Sequence, residues 1–348
     1  MKLALVHDHL TQEGGAEKVL RAFQEIWPEA PTYTLVYDQA KVGSLFAGHE
    51  IRTSWLQRLP GAVRYNRLLL PWMPLATESY RLNDFDVVLS SSSAFAKGVI
   101  TQATTLHLCY CHTPTRYLWT DTHEYVADLP YPRLAKRLLL PPLLSRLRQW
   151  DYLAAQRVDG FVANSKTVAD RIAKFYRRSA TVLHPPVATT QFSPAASVDR
   201  YFLTGGRLVS YKRFDLAVRA FNRLGLPLVI FGDGPQQRAL RAIAKPNITF
   251  AGRVGEAELA ELYRRCVAFL HPQVEDFGIT AVEGMASGRP VVAYAAGGAL
   301  ETVVAGTTGV LFHEQSWEAL ADAVVRLQPE RFTPATIHAY AQQFGLER

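Results

Sequence analysis

The chain has 348 residues, of which 48% are hydrophobic, and its formal net charge is +7. This length and composition predict a globular protein with room for two domains, and the charge predicts an acidic partner such as a phosphate-bearing ligand, an anionic membrane or a nucleic acid. Three cysteines make no disulfide framework, no apolar run reaches transmembrane length, and the N-terminal apolar stretch is too short for a signal peptide. We therefore expect a cytoplasmic protein.

Residues 2–27 predict a buried strand, a loop and a helix. Gly14 and Gly15 lie where the loop meets the helix, and glycines there let a ligand approach the backbone, although an ordinary loop would have the same composition. His7 and His9 follow the strand. Because no third ligand lies nearby, they favour a polar turn over a metal site.

Further apolar runs in the first half predict a parallel sheet. The predicted strands are Thr32–Tyr37, a run at Ile51, Asp86–Ser90, Thr105–Tyr110, Gly160–Asn164 and Thr181–Leu183. Asp84 and Asp86 have the spacing of a metal–nucleotide motif, but Asp86 leads into a strand, so we interpret both as turn residues and predict no metal there. His112 follows a strand at the edge where α/β sheets bind ligands. A loop histidine bonded to a backbone carbonyl is the alternative.

The segment Tyr131–Trp150 is rich in leucine, contains no acidic residue and carries the basic residues Arg133, Lys136, Arg137, Arg146 and Arg148. This composition is typical of an amphipathic segment that lies on an anionic membrane. It is equally typical of a helix that packs on a sheet and exposes a basic face to solvent.

A proline-rich stretch from His184 to Ser197 predicts a linker between domains at residues 1–186 and 199–330. Strands and helices alternate on both sides of this linker. The alternation predicts an α/β fold of two doubly wound domains that face each other across a ligand-binding cleft.

Two stretches of the second domain predict an anion site. In the first, Gly205, Gly206, Arg207 and Lys212 follow the predicted strand Tyr201–Thr204 and precede a helix. Arginine offers a planar fork to phosphate oxygens, and lysine offers a point charge. A basic turn without a ligand is the alternative.

The second stretch, VEDFGITAVEGMASG, follows the predicted strand Val267–Leu270, which His271 and Pro272 are expected to end. We expect Glu275 on a loop and Glu283 about two helical turns later on the same face. Free N–H groups at the helix start would come from Gly278, Ile279 and Thr280. Ionised carboxylates accept hydrogen bonds from diols, so the pattern suits a nucleotide sugar. A helix cap at Glu275 and a solvated Glu283 are the alternative.

The spacing of Glu275 and Glu283, with Phe277 and Gly278 between them, resembles the signature of retaining family-4 glycosyltransferases of the GT-B type. Further blocks match in the order of that family and run over nearly the whole chain: GGAEKVL, HTPTRYLW, Gly-Arg-Leu…Lys and Gly-Asp-Gly. The resemblance implies two Rossmann-like domains that face a central cleft. It also implies that a C-terminal helix, at residues 331–348, crosses back to the first domain.

The same resemblance implies roles for the candidate residues. His112 and Glu275 would contact the transferred sugar near the reacting centre, and Glu283 would hold the ribose. Arg207 and Lys212 would grip the diphosphate. The other donor-binding residues would be Gly14 and Gly15 at the pyrophosphate, Arg253 and Val254 at the nucleobase, and Phe277, Gly278, Ile279 and Thr280.

The family's reaction retains the configuration of the transferred sugar, and the departing phosphate deprotonates the acceptor. The resemblance therefore implies neither a metal nor a cofactor. HTPTRYLW and GGAEKVL look most similar to mannosyltransferases of surface-polysaccharide assembly, which favours GDP-mannose as donor and a lipid-linked or glycan acceptor. UDP-glucose or another UDP-hexose is the alternative donor. Lipid-linked acceptors also favour a peripheral position on the anionic inner face of the cytoplasmic membrane.

Three other classes of protein explain the sequence less well. A sugar-nucleotide epimerase of GT-B fold shares the architecture but gives no reason for the basic, leucine-rich segment. A Rossmann dehydrogenase needs Gly-x-Gly-x-x-Gly after its first strand, and HDHLTQEGG lacks it. We expect no nucleic-acid partner, because no RNA-binding or zinc-type motif occurs.

Overall fold

The computed structural model describes residues 1–123, 126 and 132–347. The chain divides into two compact units, Met1–His184 and Pro185–Arg348. The boundary falls within the proline-rich stretch that predicts a linker. Each unit contains a parallel sheet with helices, so the α/β fold class predicted from the sequence is confirmed.

The first unit is built on a parallel sheet of seven strands. These strands are β1 Leu3–His7, β2 Thr32–Thr34, β3 Ile51–Thr53, β4 Val87–Ser92, β5 Leu106–Cys111, β6 Gly160–Ala163 and β7 Ala180–Val182. Their order is β3-β2-β1-β4-β5-β6-β7, so the direction of winding reverses between β1 and β4. In doubly wound sheets the ligand site lies at the carboxyl ends of the strands beside this switch point. His7 and Ser92 end the two strands that flank it.

The α-helices described in the first unit are α1 Gly15–Ile26, α2 Gln39–Val42, α3 Met73–Glu78, α4 Arg116–Trp119, α5 Arg133–Leu138, α6 Leu140–Gln156 and α7 Lys166–Tyr176. Its 3-10 helices are Gly43–Phe46, Trp55–Arg58, Asn66–Trp72 and Ala96–Gly98. β1 is buried along its whole length, as expected for a central strand with both faces covered. Ser165 is the N-cap of α7, and its side chain accepts a hydrogen bond from the N–H of Val168.

The second unit is built on a parallel sheet of six strands in the order β10-β9-β8-β11-β12-β13. These strands are β8 Phe202–Gly205, β9 Leu228–Phe231, β10 Ile248–Gly252, β11 Phe269–His271, β12 Val291–Tyr294 and β13 Gly309–Phe312. The order reverses between β8 and β11, which places the ends of these two strands at the switch point. The sequence predicts that this strand ends at Leu270, whereas in the structure β11 continues to His271.

The α-helices described in the second unit are α8 Phe214–Leu224, α9 Gln237–Ile243, α10 Glu256–Arg265, α11 Ile279–Ala286, α12 Ala299–Thr302, α13 Trp317–Arg326 and α14 Pro334–Gln342. Its 3-10 helices are Thr189–Gln191, Ser210–Lys212 and Pro329–Arg331. α11 is buried on most of its surface because it lies under α14 as well as beside the sheet. The small residues Ala281 and Gly284 allow this close packing.

The last helix, α14, packs into the core of the second unit. The packing of this helix on the first unit, which the resemblance implies, stays a prediction. Ile337, Ala341 and the following Phe344 belong to the apolar core of the second unit. Phe344 packs edge-on against Phe277, with 5.5 Å between the ring centroids. These buried contacts explain the placement, because exposing the same apolar side chains would cost the free energy of their burial.

The basic, leucine-rich segment is buried along part of its length and exposed along another part, and its contact with a membrane stays a prediction. Leu140, Leu144 and Leu147 of α6 are buried in an apolar cluster of the first unit. Leu134 and Leu139 are each 69% exposed, and Tyr131 lies outside the described residues. None of the helices in the described part of the chain has the length and apolar character needed to cross a membrane.

A buried ion pair ties α6 to the 3-10 helix Ala96–Gly98, which follows β4. The Nζ of Lys97 lies 2.6 Å from Oδ1 of Asp151, and both side chains are buried. The Asp151 carboxylate also accepts hydrogen bonds from the side chains of Thr115, Trp119 and Tyr176. Burial lowers the pKa of Lys97, but Asp151, together with Cys111 and Asp8, outweighs burial and leaves the pKa raised. The network therefore keeps Lys97 charged and holds Thr115 and Trp119 to the helix.

We expect Asp151→Ala to lower the free energy of unfolding by about 3–5 kcal/mol, because it leaves the Lys97 ammonium buried without its partner. Chemical denaturation, followed by tryptophan fluorescence, measures this change. Asp322→Ala is the matched control: its ion pair with Arg326 is exposed and should contribute less than about 1 kcal/mol. Equal losses in the two variants would contradict the stabilising role of the buried pair.

Candidate functional site

The loop after β8 is held by backbone contacts with the loop after β9. The N–H of Gly206 donates to the carbonyl of Phe231, and the N–H of Leu208 donates to the carbonyl of Asp233. Gly232 has a φ of 98°, and a Cβ there would lie 1.9 Å from the carbonyl oxygen of Gly206. Only glycine allows this approach. The Gly-Asp-Gly block therefore sets the position of the predicted phosphate-binding loop.

The two predicted phosphate ligands differ in their surroundings. Arg207 is exposed, and no hydrogen bond or ion pair of its side chain occurs among the described residues. Lys212, in contrast, is mostly buried, and its Nζ lies 2.8 Å from Oε1 of Glu275. The structure thus brings together one predicted phosphate ligand and the predicted sugar ligand, which are 63 positions apart in the sequence.

A second pair of glycines holds the loop that carries Glu275. The N–H of Gly298 donates to the carbonyl of Glu275, and a Cβ on Gly298 would lie 2.3 Å from the Cα of Phe277. Gly297 packs equally closely on the Glu275 carbonyl. Sequence reasoning did not identify these two glycines as a support for the glutamate. The two consecutive glycines were the sequence feature that could have indicated a close backbone contact.

Glu283 is 3% exposed, and its carboxylate accepts a hydrogen bond of 3.1 Å from the hydroxyl of Tyr263 on α10. Burial, followed by the charge of Glu283, raises the pKa of Tyr263, so the tyrosine stays a donor. The alternative of a solvated Glu283 is therefore wrong. A role in binding ribose stays a prediction.

The start of α11 lies close to both glutamates in the sequence. Gly278 is its N-cap, and Ile279 and Thr280 form its first turn with partly exposed side chains. Phe277 is buried against the core of the unit. Their role in binding the donor stays a prediction, as it does for Arg253 and Val254, which directly follow β10.

His271 is a candidate site residue that sequence reasoning does not identify. It is fully buried, neither ring nitrogen has a hydrogen-bond partner among the described residues, and a Cβ on Gly278 would lie 3.3 Å from its Nε2. Burial lowers the pKa of His271 to about 4; Glu275 raises it and Lys212 lowers it. A neutral imidazole therefore lies beneath the start of α11. Its position at the carboxyl end of a strand was the signal that could have identified it.

The first unit gathers a second polar cluster at its own switch point. His112 directly follows β5, as predicted, and its Nε2 lies 2.8 Å from Oγ of Ser91. Ser91 Oγ also lies 3.1 Å from Nδ1 of His7. The pKa of His112 is lowered to about 3, chiefly by burial and against the opposing charge of Asp8, so this imidazole is neutral at pH 7. Asn164 donates to the His112 carbonyl and supports the loop.

Gly14 and Gly15 form the N-cap and the first residue of α1. A Cβ on Gly14 would lie 2.8 Å from Oε2 of Glu17, so the glycine makes room for a carboxylate of its own helix. Glu17 is buried, although the sequence offers no reason to select it. Contact of either glycine with a pyrophosphate stays a prediction.

No group of three or more His, Cys, Asp or Glu side chains in the described part of the chain could hold a metal ion. Asp8, between His7 and His9, instead accepts hydrogen bonds from the backbone N–H groups of residues 93–96. Burial raises the pKa of Asp8, but the two histidines and these N–H groups outweigh it and lower the pKa. Asp8 therefore holds the loop after β4.

We expect Gly232→Ala to destabilise the second unit by at least about 1–3 kcal/mol, because alanine is strained at this φ and its Cβ would meet the Gly206 carbonyl. Thermal unfolding measures this loss. The control is Gly255→Ala, since Gly255 has an ordinary φ of −74° and nothing within 4 Å of its Cβ position. A Gly232 variant as stable as the control would contradict the interlocked arrangement of the two loops.

Comparisons with known proteins show what this chain is similar to. Residues 189–344, which span most of the second unit, match the family model described as "Glycosyl transferases group 1". Two curated relatives are GDP-mannose-dependent enzymes. An alpha-mannosyltransferase of Mycolicibacterium smegmatis is 38% identical over 128 residues, which cover 36% of this chain and 34% of the relative. An alpha-(1-6)-phosphatidylinositol monomannoside mannosyltransferase of Mycobacterium tuberculosis is 35% identical over 143 residues, or 36% of this chain and 37% of the relative.

This chain thus spans about a third of the length of these two relatives. Solved structures extend the likeness of the fold to the whole chain. Anabaena HepE in complex with UDP-glucose superimposes with a TM-score of 0.73 at 18% identity, and the match covers 100% of this chain and 96% of HepE. Sucrose-phosphate synthase of Thermosynechococcus elongatus has a TM-score of 0.70 at 17% identity and covers 100% and 94%. The second unit of this chain is therefore a group 1 glycosyltransferase domain, in a chain whose fold is that of the GT-B glycosyltransferases.

Proposed function

We propose that this protein is a retaining glycosyltransferase that moves a hexose from a nucleotide sugar to a lipid-linked or glycan acceptor. The observation that carries the proposal is the 2.8 Å contact between Lys212 and Glu275. It places a cation suited to a diphosphate beside a carboxylate suited to sugar hydroxyls, both at the switch point of a doubly wound sheet.

In this proposal the basic loop stabilises the leaving group. Negative charge builds up on the nucleoside diphosphate as the glycosidic bond breaks. Arg207 and Lys212, together with the N–H groups at the start of α11, would stabilise this charge, so the reaction would need no metal ion. Loss of one such donor typically slows a reaction about 100- to 1000-fold.

The carboxylates and His112 would orient the donor. Glu275 would accept hydrogen bonds from hydroxyls of the transferred sugar, and Glu283 would hold the ribose. Because the hydroxyl of Tyr263 already donates a hydrogen bond to the Glu283 carboxylate, it would restrict which ribose hydroxyls this carboxylate can bind. His112 would contact the sugar near the reacting centre. The acceptor hydroxyl would attack on the face that the diphosphate leaves, and a phosphate oxygen would take its proton.

GDP-mannose is the donor that we propose. The curated relatives named above are described as GDP-mannose-dependent, and this supports the proposal for the part of the chain that they match. A UDP-hexose is the second candidate, because HepE, which shares the fold, was solved with UDP-glucose.

We also propose that the first unit contacts an anionic membrane that carries the acceptor. The exposed leucines Leu134, Leu138 and Leu139 lie among exposed Arg133 and Arg137. The segment Asn66–Glu78, which shares an apolar cluster with α6, adds further exposed apolar side chains: Leu68, Trp72 and Leu75. Apolar area for the interface and positive charge for anionic lipids are the two requirements of peripheral binding.

GDP-mannose should raise the thermal midpoint of the protein more than other nucleotide sugars, and the protein should slowly hydrolyse it without an acceptor.

Arg207→Ala should weaken binding of the nucleoside diphosphate severalfold, because it removes a charge-assisted contact to phosphate. Isothermal titration with GDP and UDP measures this effect. Since Arg207 is exposed, the stability of the variant should not change.

Arg219→Ala is the matched control, because Arg219 is also an exposed arginine but lies on the side of α8. Glu275→Ala should abolish hydrolysis and leave diphosphate binding in place. EDTA should leave activity intact. Equal GDP affinity in the Arg207 and Arg219 variants would contradict the phosphate site, and epimerisation without hydrolysis would point to the epimerase class.

Vesicles that contain anionic lipid should recruit the protein in a flotation assay, and added salt should weaken recruitment. Replacing Leu134 and Leu138 by serine, and Arg133 and Arg137 by glutamine, should abolish it. The control is Val325→Ser with Arg326→Gln, an exposed apolar–basic pair in the second unit. If this control lost recruitment equally, or if wild-type protein failed to float, the membrane surface would be wrong.

A further inference from the structure

A buried series of polar side chains leads from α1 to His112. Oε1 of Glu17 lies 4.0 Å from Nε2 of His7, which is an electrostatic contact rather than a hydrogen bond. Nδ1 of His7 lies 3.1 Å from Oγ of Ser91, and that Oγ lies 2.8 Å from Nε2 of His112. All four side chains are buried. They come from α1, β1, β4 and the end of β5, so only the folded sheet brings them together.

With both imidazoles neutral, each imidazole and the serine hydroxyl can donate only one proton, and this gives the series a preferred direction. The carboxylate of Glu17 favours the tautomer of His7 that carries its proton on Nε2, facing the negative charge. Nδ1 of His7 is then a lone pair, and the Ser91 hydroxyl must donate to it. With its proton used in this way, Ser91 can only accept from His112. Nε2 of His112 therefore carries the proton.

The opposite direction is unfavourable here. It would place the lone pair of His7 Nε2 toward the Glu17 carboxylate, in a region where burial strengthens electrostatic interactions. Asp8 also faces this region, but four backbone N–H groups already bind its two oxygens. His9 faces Glu17 and Asp8 from the same loop, and burial lowers its pKa, so it brings no fixed positive charge.

We propose that Glu17, His7 and Ser91 are positioning residues that hold His112 with its proton on Nε2 and its lone pair on Nδ1. No hydrogen-bond partner of Nδ1 occurs among the described residues. This nitrogen then accepts a hydrogen bond from a hydroxyl of the transferred sugar or of the acceptor. The inference rests on the proposed glycosyl transfer for the identity of that hydroxyl, but the tautomer follows from the first unit alone.

Gly14 fits into the same arrangement. Because a Cβ on residue 14 would lie 2.8 Å from Oε2 of Glu17, a side chain there would have to displace the end of the glutamate from its position against the start of α1. The GGAEKVL block therefore has a structural role in addition to the ligand contact that its glycines predict. The block positions the Glu17 carboxylate beside His7, and Ser91 connects His7 to His112.

The test compares two serines that are adjacent in β4. Ser91→Ala removes the link between His7 and His112, and Ser91→Thr restores a hydroxyl. Ser90→Ala is the matched control: Ser90 is equally buried, and its Oγ lies 2.9 Å from Nε2 of His107. The control therefore also removes a buried serine–histidine hydrogen bond between the same two strands.

The first readout is nitrogen NMR of the ligand-free chain labelled in its histidine rings, with the His112 signal assigned from His112→Gln. Wild type should show a protonated Nε2 and an unprotonated Nδ1, and so should Ser90→Ala. Ser91→Ala should populate both tautomers, and so should Glu17→Gln. A wild-type His112 protonated on Nδ1 would overturn the proposal, and an unchanged Glu17→Gln spectrum would remove Glu17 from it.

The second readout is turnover. Ser91→Ala should lower kcat about 10- to 100-fold, the range seen when a group that orients a functional histidine is removed, with little change in KM. Ser91→Thr should recover most of this loss. A loss in both donor hydrolysis and transfer identifies a hydroxyl of the sugar, and a loss in transfer alone identifies a hydroxyl of the acceptor. Equal kcat in Ser91→Ala and Ser90→Ala would overturn the positioning role.

The two readouts separate this proposal from the proposed function. A protein with the expected tautomer that hydrolyses no nucleotide sugar would refute glycosyl transfer and keep the assignment of the series. A protein that hydrolyses GDP-mannose but carries the proton of His112 on Nδ1 would support the function and refute the series.

Discussion

The site in the second unit depends on backbone passing directly over backbone. The Gly206 carbonyl occupies the space that a side chain at residue 232 would need, and Phe277 occupies the space that a side chain at Gly298 would need. These contacts connect loops that follow different strands, so the loops are held by hydrogen bonds between main chains rather than by flexible side chains. Lys212 and Glu275 meet because both loops are held in this way. A charged pair needs this support, since ordering two long side chains costs conformational entropy.

The first unit buries two charged carboxylates near the carboxyl edge of its sheet. Asp151 is saturated by four donors, and Asp8 accepts from four backbone N–H groups. Both carboxylates hold loops at the carboxyl edge of the sheet, where His112 lies. Buried charges are tolerated only when they are paired or fully hydrogen-bonded, so each network admits essentially one loop geometry. The rigid loops in turn allow the Glu17–His7–Ser91 series to act on a single imidazole.

Much of the site could be predicted because parallel α/β folds bind ligands at one edge of the sheet. Polar residues in the loops after apolar runs therefore identified His112, Arg207 and Glu275 as candidates without any knowledge of packing. Glu17 was missed because it lies within a predicted helix, where a polar residue does not by itself indicate burial or a partner. His271 was missed because it was interpreted only as the residue that ends the strand. Glu283 was placed on the right helix, but its bond to Tyr263 joins two helices, and spacing along one helix does not reveal this contact.

The sequence by itself determined the alternation of strands and helices, the division into two units and the chemistry of the residues at the strand ends, because periodicity, proline-rich composition and turn residues are local properties. Only the tertiary structure decided which of those residues meet. The ion pair of Lys212 with Glu275, the path from Glu17 to His112 and the packing of α14 on the second unit each join residues from distant parts of their unit. Such contacts depend on the order of strands in a sheet and on which apolar faces pack against each other. Neither is encoded in a short stretch of chain.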